Sequence, residues 1–348
     1  DPATSDLFRA LRFDVQVLAK TPEEESQIVL SPDRKRLAFL RDKGRLVVAD
    51  IDAAGKLSNQ ITLLDGWSTP DGLCWSPDGK WLAYAQEDLD FNKEVYILAA
   101  DKAAKPFNVS LHPRIDDSPV WSADGAKLAF LSKRNNDNAD VWFVWLRKAD
   151  WDKTKRDWED KDDDANASKK DTAAAKTVLI DFEAIHKRLV QVTNLPGNEA
   201  SPLISKDGQT FYFSTNRGDR QLQAGKRSLM SIKWDGSDPA TILDDKALSS
   251  ITWDKDIKNM YALDDNGKLS KIEPGIKKAD NIPIEAKMSI LLADERRQVF
   301  DETWRELRAG FYDPQFHGRD WQALRERYEP RALAASTTQD FQFFVNEM

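Results

Sequence analysis

One phrase recurs five times along this chain, and a phrase repeated at near-constant spacing leaves few folds open. It reads IVLSPDRKRLAFL at 28–40, LCWSPDGKWLAYA at 73–85, PVWSADGAKLAFL at 119–131 and PLISKDGQTFYFS at 202–214, with a more worn copy, ITWDKDIKNMYAL, at 251–263. Each copy is an apolar pair, a polar turn of the Ser-Pro-Asp-Gly type, then an alternating apolar strand. Proline sets φ at the second turn position and Gly or Asp accepts the backbone that follows, so each copy predicts a β-hairpin. The turn serines Ser31, Ser76 and Ser122 stand 45 and 46 residues apart. The step from Ser122 to Ser205 is 83, one period plus an excursion of about 38 residues.

A third strand follows each hairpin: LVVADI, EVYILAAD, DVWFVWLR, SLMSIKW and KLSKIEP. A shorter fourth comes next, such as QITLLD, FNVSLH, LVQVTN and ATILDD. Four antiparallel strands at a period near 45 are the signature of a propeller blade. A β-sandwich with coincidental turns is the competing fold, but a sandwich does not repeat one phrase five times. A blade cannot bury its faces alone, so blades must pack face to face. The Trp or Leu before each turn is expected to fill the core between them. Ser5–Ala10 reads as a third strand and Phe13–Leu18 as a fourth, so the chain opens in mid-blade. The fold class is therefore mainly β: a β-propeller over 1–283, with five four-stranded blades plus a half blade, from a ring of six or seven.

Two segments break the repeat. Lys148–Thr177 carries nine acidic and eight basic residues, two tryptophans and no Gly or Pro. Its start is expected to be helical, with Trp151, Lys155 and Trp158 on one face. The remainder is poor in apolar residues and reads as a solvated excursion. Asp162-Asp163-Asp164 lacks the glycine and terminal Glu of a calcium loop. From Ile284 the pattern changes again. IPIEAKMSILL reads as a closing strand, and a helix with Asp294 and Glu295 in its first turn follows, as the helix dipole favours. Val299, Phe300, Thr303, Trp304, Leu307 and Phe311 form a stripe at helical spacing, and Asp313-Pro314 ends it. Asp320 caps a second helix bearing Trp321, Leu324 and Tyr328. Ser336 or Thr337 starts a third, whose Phe341, Phe344, Val345 and Met348 are expected to be left exposed.

The chemistry-bearing residues are few. A net charge of −8 and a pI near 5.2 argue against nucleic acid as a partner. No run of 18 apolar residues is present, so membrane insertion is not expected. Cys74 is the one cysteine and reads as a buried, inert thiol. His112 and His186 read as surface residues and His317 as part of a turn. Three histidines in three elements, without an HExxH or a CxxC, leave no zinc site. No Gly-x-Ser-x-Gly elbow is present. The residues thus supply no catalytic, metal or cofactor-binding site, and the substrate-binding residues stay unknown.

The tail is more specific. RRQVFDETWRELRAGFYDPQFHGRDWQALRERYEP, Arg296–Pro330, resembles the opening of the helical C1 domain of tricorn-type serine proteases. VLIDFEAIHKRLVQVTNLPGN at 178–198, after a charged insertion beginning KADW, is similar to the bacterial tricorn-like members. The likeness covers nearly the whole chain, with 284–348 as the closing strand and the start of C1. It implies a peptidase with a propeller, C1, a PDZ domain and a C2 domain, often hexameric, whose propeller filters peptides. It implies a catalytic Ser-His pair beyond the third C1 helix and a nucleophilic serine and Glu far downstream, so no catalytic residue is carried over. The expectations are peptide-gating by a chain inactive alone, no cofactor, partnership with the PDZ and catalytic parts and with unfolded peptides, and a possible homo-oligomer. A periplasmic or exported setting is expected, with a cytoplasmic one as the alternative. The blade phrase alone fits two other readings. One is a stand-alone TolB-like binding propeller with a helical docking tail. The other is a dipeptidyl-peptidase-like hydrolase, which the helix at Glu295 opposes.

Overall fold

The computed structural model describes residues 17–19, 21, 23–135, 137–153, 157, 177–218, 227–246, 248–264, 266–284 and 291–348. They fall into two compact units, one within 11–284 and one within 285–348. The strands expected at 5–10 and 13–16, Lys155, Trp158, Asp162–Asp164 and most of the closing strand lie outside the described residues.

The first unit is a run of five four-stranded antiparallel sheets, each a meander of consecutive strands. Blade 1 is β1 (Glu25–Leu30), β2 (Arg36–Arg41), β3 (Arg45–Ile51) and β4 (Leu57–Asp65). Blade 2 is β5 (Asp71–Trp75), β6 (Trp81–Glu87), β7 (Lys93–Ala99) and β8 (Phe107–Asn108). Blade 3 is β9 (Asp116–Trp121), β10 (Lys127–Ser132), β11 (Asp140–Trp145) and β12 (Leu189–Gln191). Blade 4 is β13 (Glu199–Ile204), β14 (Thr210–Thr215), β15 (Arg227–Lys233) and β16 (Ala240–Lys246). Blade 5 is β17 (Leu248–Trp253), β18 (Met260–Asp264), β19 (Leu269–Glu273) and β20 (Lys278–Ile282).

The turn chemistry explains why the phrase is repeated. Ser31 Oγ donates to Asp33 Oδ1 (2.6 Å) and accepts from Arg36 N (2.9 Å). Ser76, Ser122 and Ser205 make the same two bonds to Asp78 and Trp81, Asp124 and Lys127, and Asp207 and Thr210. In the worn fifth copy Asp254 replaces the serine and its carboxylate takes Lys258 N and Asn259 N instead. The turn needs one left-handed residue; glycine supplies it at Gly79, Gly125 and Gly208, whereas Arg34 and Ile257 adopt it at some steric cost.

Successive blades bury apolar residues of both faces, with the period of 2 sending neighbours to opposite sides. On β10, Leu128 and Phe130 point to blade 2, where they meet Val95, Ile97 and Val109. Ala129 and Leu131 point to blade 4 and join Phe143, Trp145, Phe211 and Phe213. The residue before each turn faces the preceding blade, and Trp75, Trp121 and Ile204 are buried there. Leu30 departs from the expectation: it is 51% exposed, because no described blade precedes blade 1 on its side.

After β11 a short helix, α1 (Lys148–Trp151), begins the excursion. The chain returns through Val178, Ile180, Phe182 and Ile185, which pack into the blade 2–blade 3 core. Arg188 is buried and ties this return to blade 3, donating to the carbonyls of Trp145, Leu146, Glu183 and Asp181.

The second unit holds α2 (Leu292–Gly310), α3 (Trp321–Leu333) and α4 (Thr338–Glu347). Asp320 caps α3 through Ala323 N (2.9 Å), and Thr337 caps α4 through Asp340 N (3.0 Å). The apolar face of α4 is not left open as the sequence suggests. Phe341 is buried against Phe300 and Ala332, with Phe344, Val345 and Met348 packed at the edge. Three helices of this length close one small core, and the exposed apolar side chains are instead Leu291, Leu292, Val299, Leu307, Phe311, Tyr312 and Phe343.

Candidate functional site

The inner edge of the propeller is built from β1, β5, β9, β13 and β17, which succeed one another from blade to blade. Each pairs on one side only, with the second strand of its own blade. A bulge interrupts every one of them, between Ser26 and Val29, Asp71 and Cys74, Asp117 and Val120, Ala200 and Leu203, and Ser249 and Thr252. One residue in each bulge is left-handed: Gln27, Gly72, Ser118, Ser201 and Ser250, each four positions before the turn Ser or Asp. A bulge breaks the ladder and leaves main-chain groups without a strand partner. Five of them set side by side on open edges make a surface able to hydrogen-bond an extended chain. The sequence reading passed over this, although small or polar residues at one offset in all five repeats are its signal. Glycine is required at 72, where a Cβ would meet Pro119 Cδ of blade 3 at 3.1 Å.

A second repeated feature lies at one end of the blades, where first strands start and third strands start. Between blades 2 and 3, Ser110 Oγ donates to Glu94 Oε2 (2.5 Å) and His112 N to Glu94 Oε1 (2.9 Å). Asp116, fully buried, takes the guanidinium of Arg134 at 3.0 Å. Between blades 3 and 4, Asp140 and Glu199 are both buried. Burial raises the carboxyls of Glu94, Asp116 and Asp140, and raises Glu199 to about 8.

The histidines are scattered. His186 is exposed in a 3-10 turn, as expected. His112, read as a surface residue, is half-buried, because its backbone N–H serves Glu94 and draws the ring inward, where Nδ1 is buried without a partner among the described residues. Burial first, and Arg134 and Arg114 after it, lower its pKa. His317 sits in the turn between α2 and α3 with φ of 54°. Its Nδ1 is 3.2 Å from Asp313 Oδ2 and its Nε2 is 2.5 Å from Tyr312 Oη. This trio flanks a stack of aromatic rings, Phe311 on Phe316 on Trp321, with centroids 5.0 and 4.7 Å apart. A groove of about 360 Å³ runs beside the stack, lined by Leu307, Phe311, Phe316, Trp321, Leu324 and Met348. An acid on one ring nitrogen and a phenol on the other thus hold His317 in this turn. Cys74 donates to the carbonyl of Pro119 (3.1 Å), and burial pushes its thiol up to about 12. Among the described residues no three His, Cys, Asp or Glu side chains are placed to hold a metal ion.

Residues 292–348 match the family model of the tricorn protease C1 domain. The chain is 22% identical over 352 residues to tricorn protease homolog 1 of Streptomyces coelicolor, covering 90% of this chain and 32% of that protein. The crystal structure of the tricorn protease superposes with a TM-score of 0.69 at 13% identity, over 93% of this chain and 32% of that one. The chain is similar to tricorn-type proteins along nearly its whole length, and its C-terminal helices match their C1 domain. It spans 32% of the length of each of these two relatives. The bladed fold is shared with others: the structure of a putative TolB from Agrobacterium tumefaciens matches with a TM-score of 0.53 at 15% identity, over 76% of this chain and 83% of that one. Among the described residues no helix is long and apolar enough to cross a membrane.

Proposed function

We propose that this chain is the peptide-handling part of a tricorn-type serine endopeptidase: it receives unfolded peptides and does not itself cut them. The observation that carries the reading is the junction of a bladed β-domain with a C1 domain in one polypeptide. The open, bulged inner strands support it, since they offer backbone donors and acceptors to a chain of any sequence. Bond cleavage in this reading belongs to a nucleophile and a base on other parts of the same protein, and the working enzyme is a homo-oligomer. The proposal includes a periplasmic or other exported setting, which fractionation of native cells checks.

The test measures two things on this purified chain: binding of a fluorescent unfolded peptide, and cleavage of a quenched one. Binding without cleavage is expected. Cleavage that co-purifies with the chain and is abolished by a serine-directed phosphonate would overturn it. The fold shared with a TolB favours a second reading, a binding module for a folded partner. In that case the unfolded peptide fails to bind and a folded protein competes for the propeller.

A further inference from the structure

The junction between blades 3 and 4 carries a buried charge problem that its neighbour does not. Asp140 starts β11 and Glu199 starts β13; they are 3% and 2% exposed, and the one hydroxyl of Thr193 reaches both carboxyls. Among the described residues neither is joined to a Lys, Arg or His. Arg134 solves the matching problem one junction earlier, twelve positions past its turn serine. The residue twelve past Ser205 is also an arginine, but Arg217 turns outward to Thr241 Oγ1 (2.9 Å) and Asp244 (3.1 Å). Arg227 on β15 comes close to the loop and spends Nη2 on the carbonyl of Asn198 (2.7 Å).

Neutral donors do not close the account. Thr193, at the end of blade 3, has one hydroxyl proton, yet its Oγ1 is 3.1 Å from Glu199 Oε2 and 3.5 Å from Asp140 Oδ1. Gln191 Nε2 serves Asp140 Oδ2 (3.2 Å). Glu199 Oε1 is buried with no donor among the described residues. Two adjacent carboxylates out of water repel strongly, and a proton between them removes both the repulsion and the orphan acceptor.

We propose that Asp140 and Glu199 share one proton and form a pH-operated joint that holds blade 3 to blade 4 when protonated and releases it when the proton leaves. What parts on release is the backbone clasp beside the pair, Glu199 N to Ala139 O (2.7 Å) and Ala139 N to Asn198 Oδ1 (2.9 Å). β13 is an inner strand, so the joint bears on the propeller's inner edge. The sign follows from linkage. Glu199 titrates higher when folded than its ordinary 4.5, so the folded state holds the extra proton. The stabilisation is complete below about 4.5, declines above it and is lost as pH passes about 8.

The test compares wild type with Glu199→Gln by thermal unfolding from pH 5 to 9.5. The wild-type Tm is expected to fall by about 5 °C or more between pH 6 and 9. E199Q, which carries the donor permanently, is expected to lose most of the fall between pH 6 and 9 and to exceed wild type at pH 9. Superimposable profiles would overturn the proposal. So would calcium restoring the wild-type Tm at pH 9, which would make the bridge a cation rather than a proton. If E199Q does not fold, carboxyl carbon NMR of glutamate-labelled wild type decides: one glutamate titrating near 8 supports the joint, and none overturns it.

Discussion

Blades 2 and 3 meet through an arginine, and blades 3 and 4 meet at the same place without one. In both junctions an acid at the start of a third strand, Glu94 or Asp140, faces an acid at the start of the next blade's first strand, Asp116 or Glu199. In the first, Arg134 is laid over Trp142 with its carbon at 4.9 Å from the ring centroid, and its fork reaches Asp116. In the second, the equivalent Arg217 is 43% exposed and bonded elsewhere. The repeat therefore preserves the shape of the junction and not its charge. A guanidinium is a permanent counter-charge, whereas a proton is one that solvent can withdraw.

The largest expected effect comes from removing the permanent counter-ion. Arg134→Met leaves Asp116 buried without a cation and should cost about 3–5 kcal/mol. Denaturant unfolding at pH 7 measures it, and adding Asp116→Asn should recover most of the loss. If R134M alone is neutral, the two junctions do not differ in the way argued. Next in size is the proton. At pH 9, Glu199→Gln should stabilise by about 2 kcal/mol or more, since a raised carboxyl ionises there at the expense of folding. The same substitution at pH 5 should change little.

Thr193→Val probes the shared donor. It removes the acceptor of Val141 N (2.8 Å) and the donor to Glu199, and should cost about 1–3 kcal/mol. It should also raise the pH at which the pair titrates, because Glu199 loses one of the bonds that favour its ionised form. A stability loss with no movement of the titration would assign Thr193 to the backbone alone.

Why one junction was legible in the sequence and the other was not has a physical answer. The blades were readable because each hairpin turn is a local device: Ser, Asp and a left-handed residue within five positions, repeated. The third and fourth strands followed from alternation, and the helix starts from Asp320 and Thr337. The acid pair is not local. Asp140 and Glu199 are 59 positions apart, separated by the charged excursion, and each alone reads as an ordinary strand-start acid. Arg188 has the same character, since nothing in LVQVTN or its flanks announces a buried guanidinium bound to four carbonyls. The α4 face failed differently: Phe341 and Phe344 are apolar on either reading, and only the return of the helix onto Phe300 decides that they are covered. The inner-edge bulges were legible in principle, at four residues before every turn.

The smallest effect is the one that sharpens the contrast most. His112 belongs to the arginine junction through its backbone N–H, so His112→Ala leaves Glu94 its partner and should change stability at pH 7 by no more than about 0.5 kcal/mol. Its ring, however, is held below its ordinary 6.5 by burial and then by Arg134 and Arg114. The unfolded chain then binds a proton that the folded one resists, so this contribution is present above about 6.5 and fades as pH falls below it. The first junction therefore has an acid limb, through His112, that the second lacks, while the buried carboxyls of both junctions weaken them as pH rises. Amide exchange read at Glu94 and Asp116 against Asp140 and Glu199, from pH 5 to 9, separates them after correction for intrinsic exchange. H112A should flatten the acid limb at the first pair and leave the alkaline limb at the second untouched. If both limbs move together, the blades open as one unit and the junction-by-junction account is wrong.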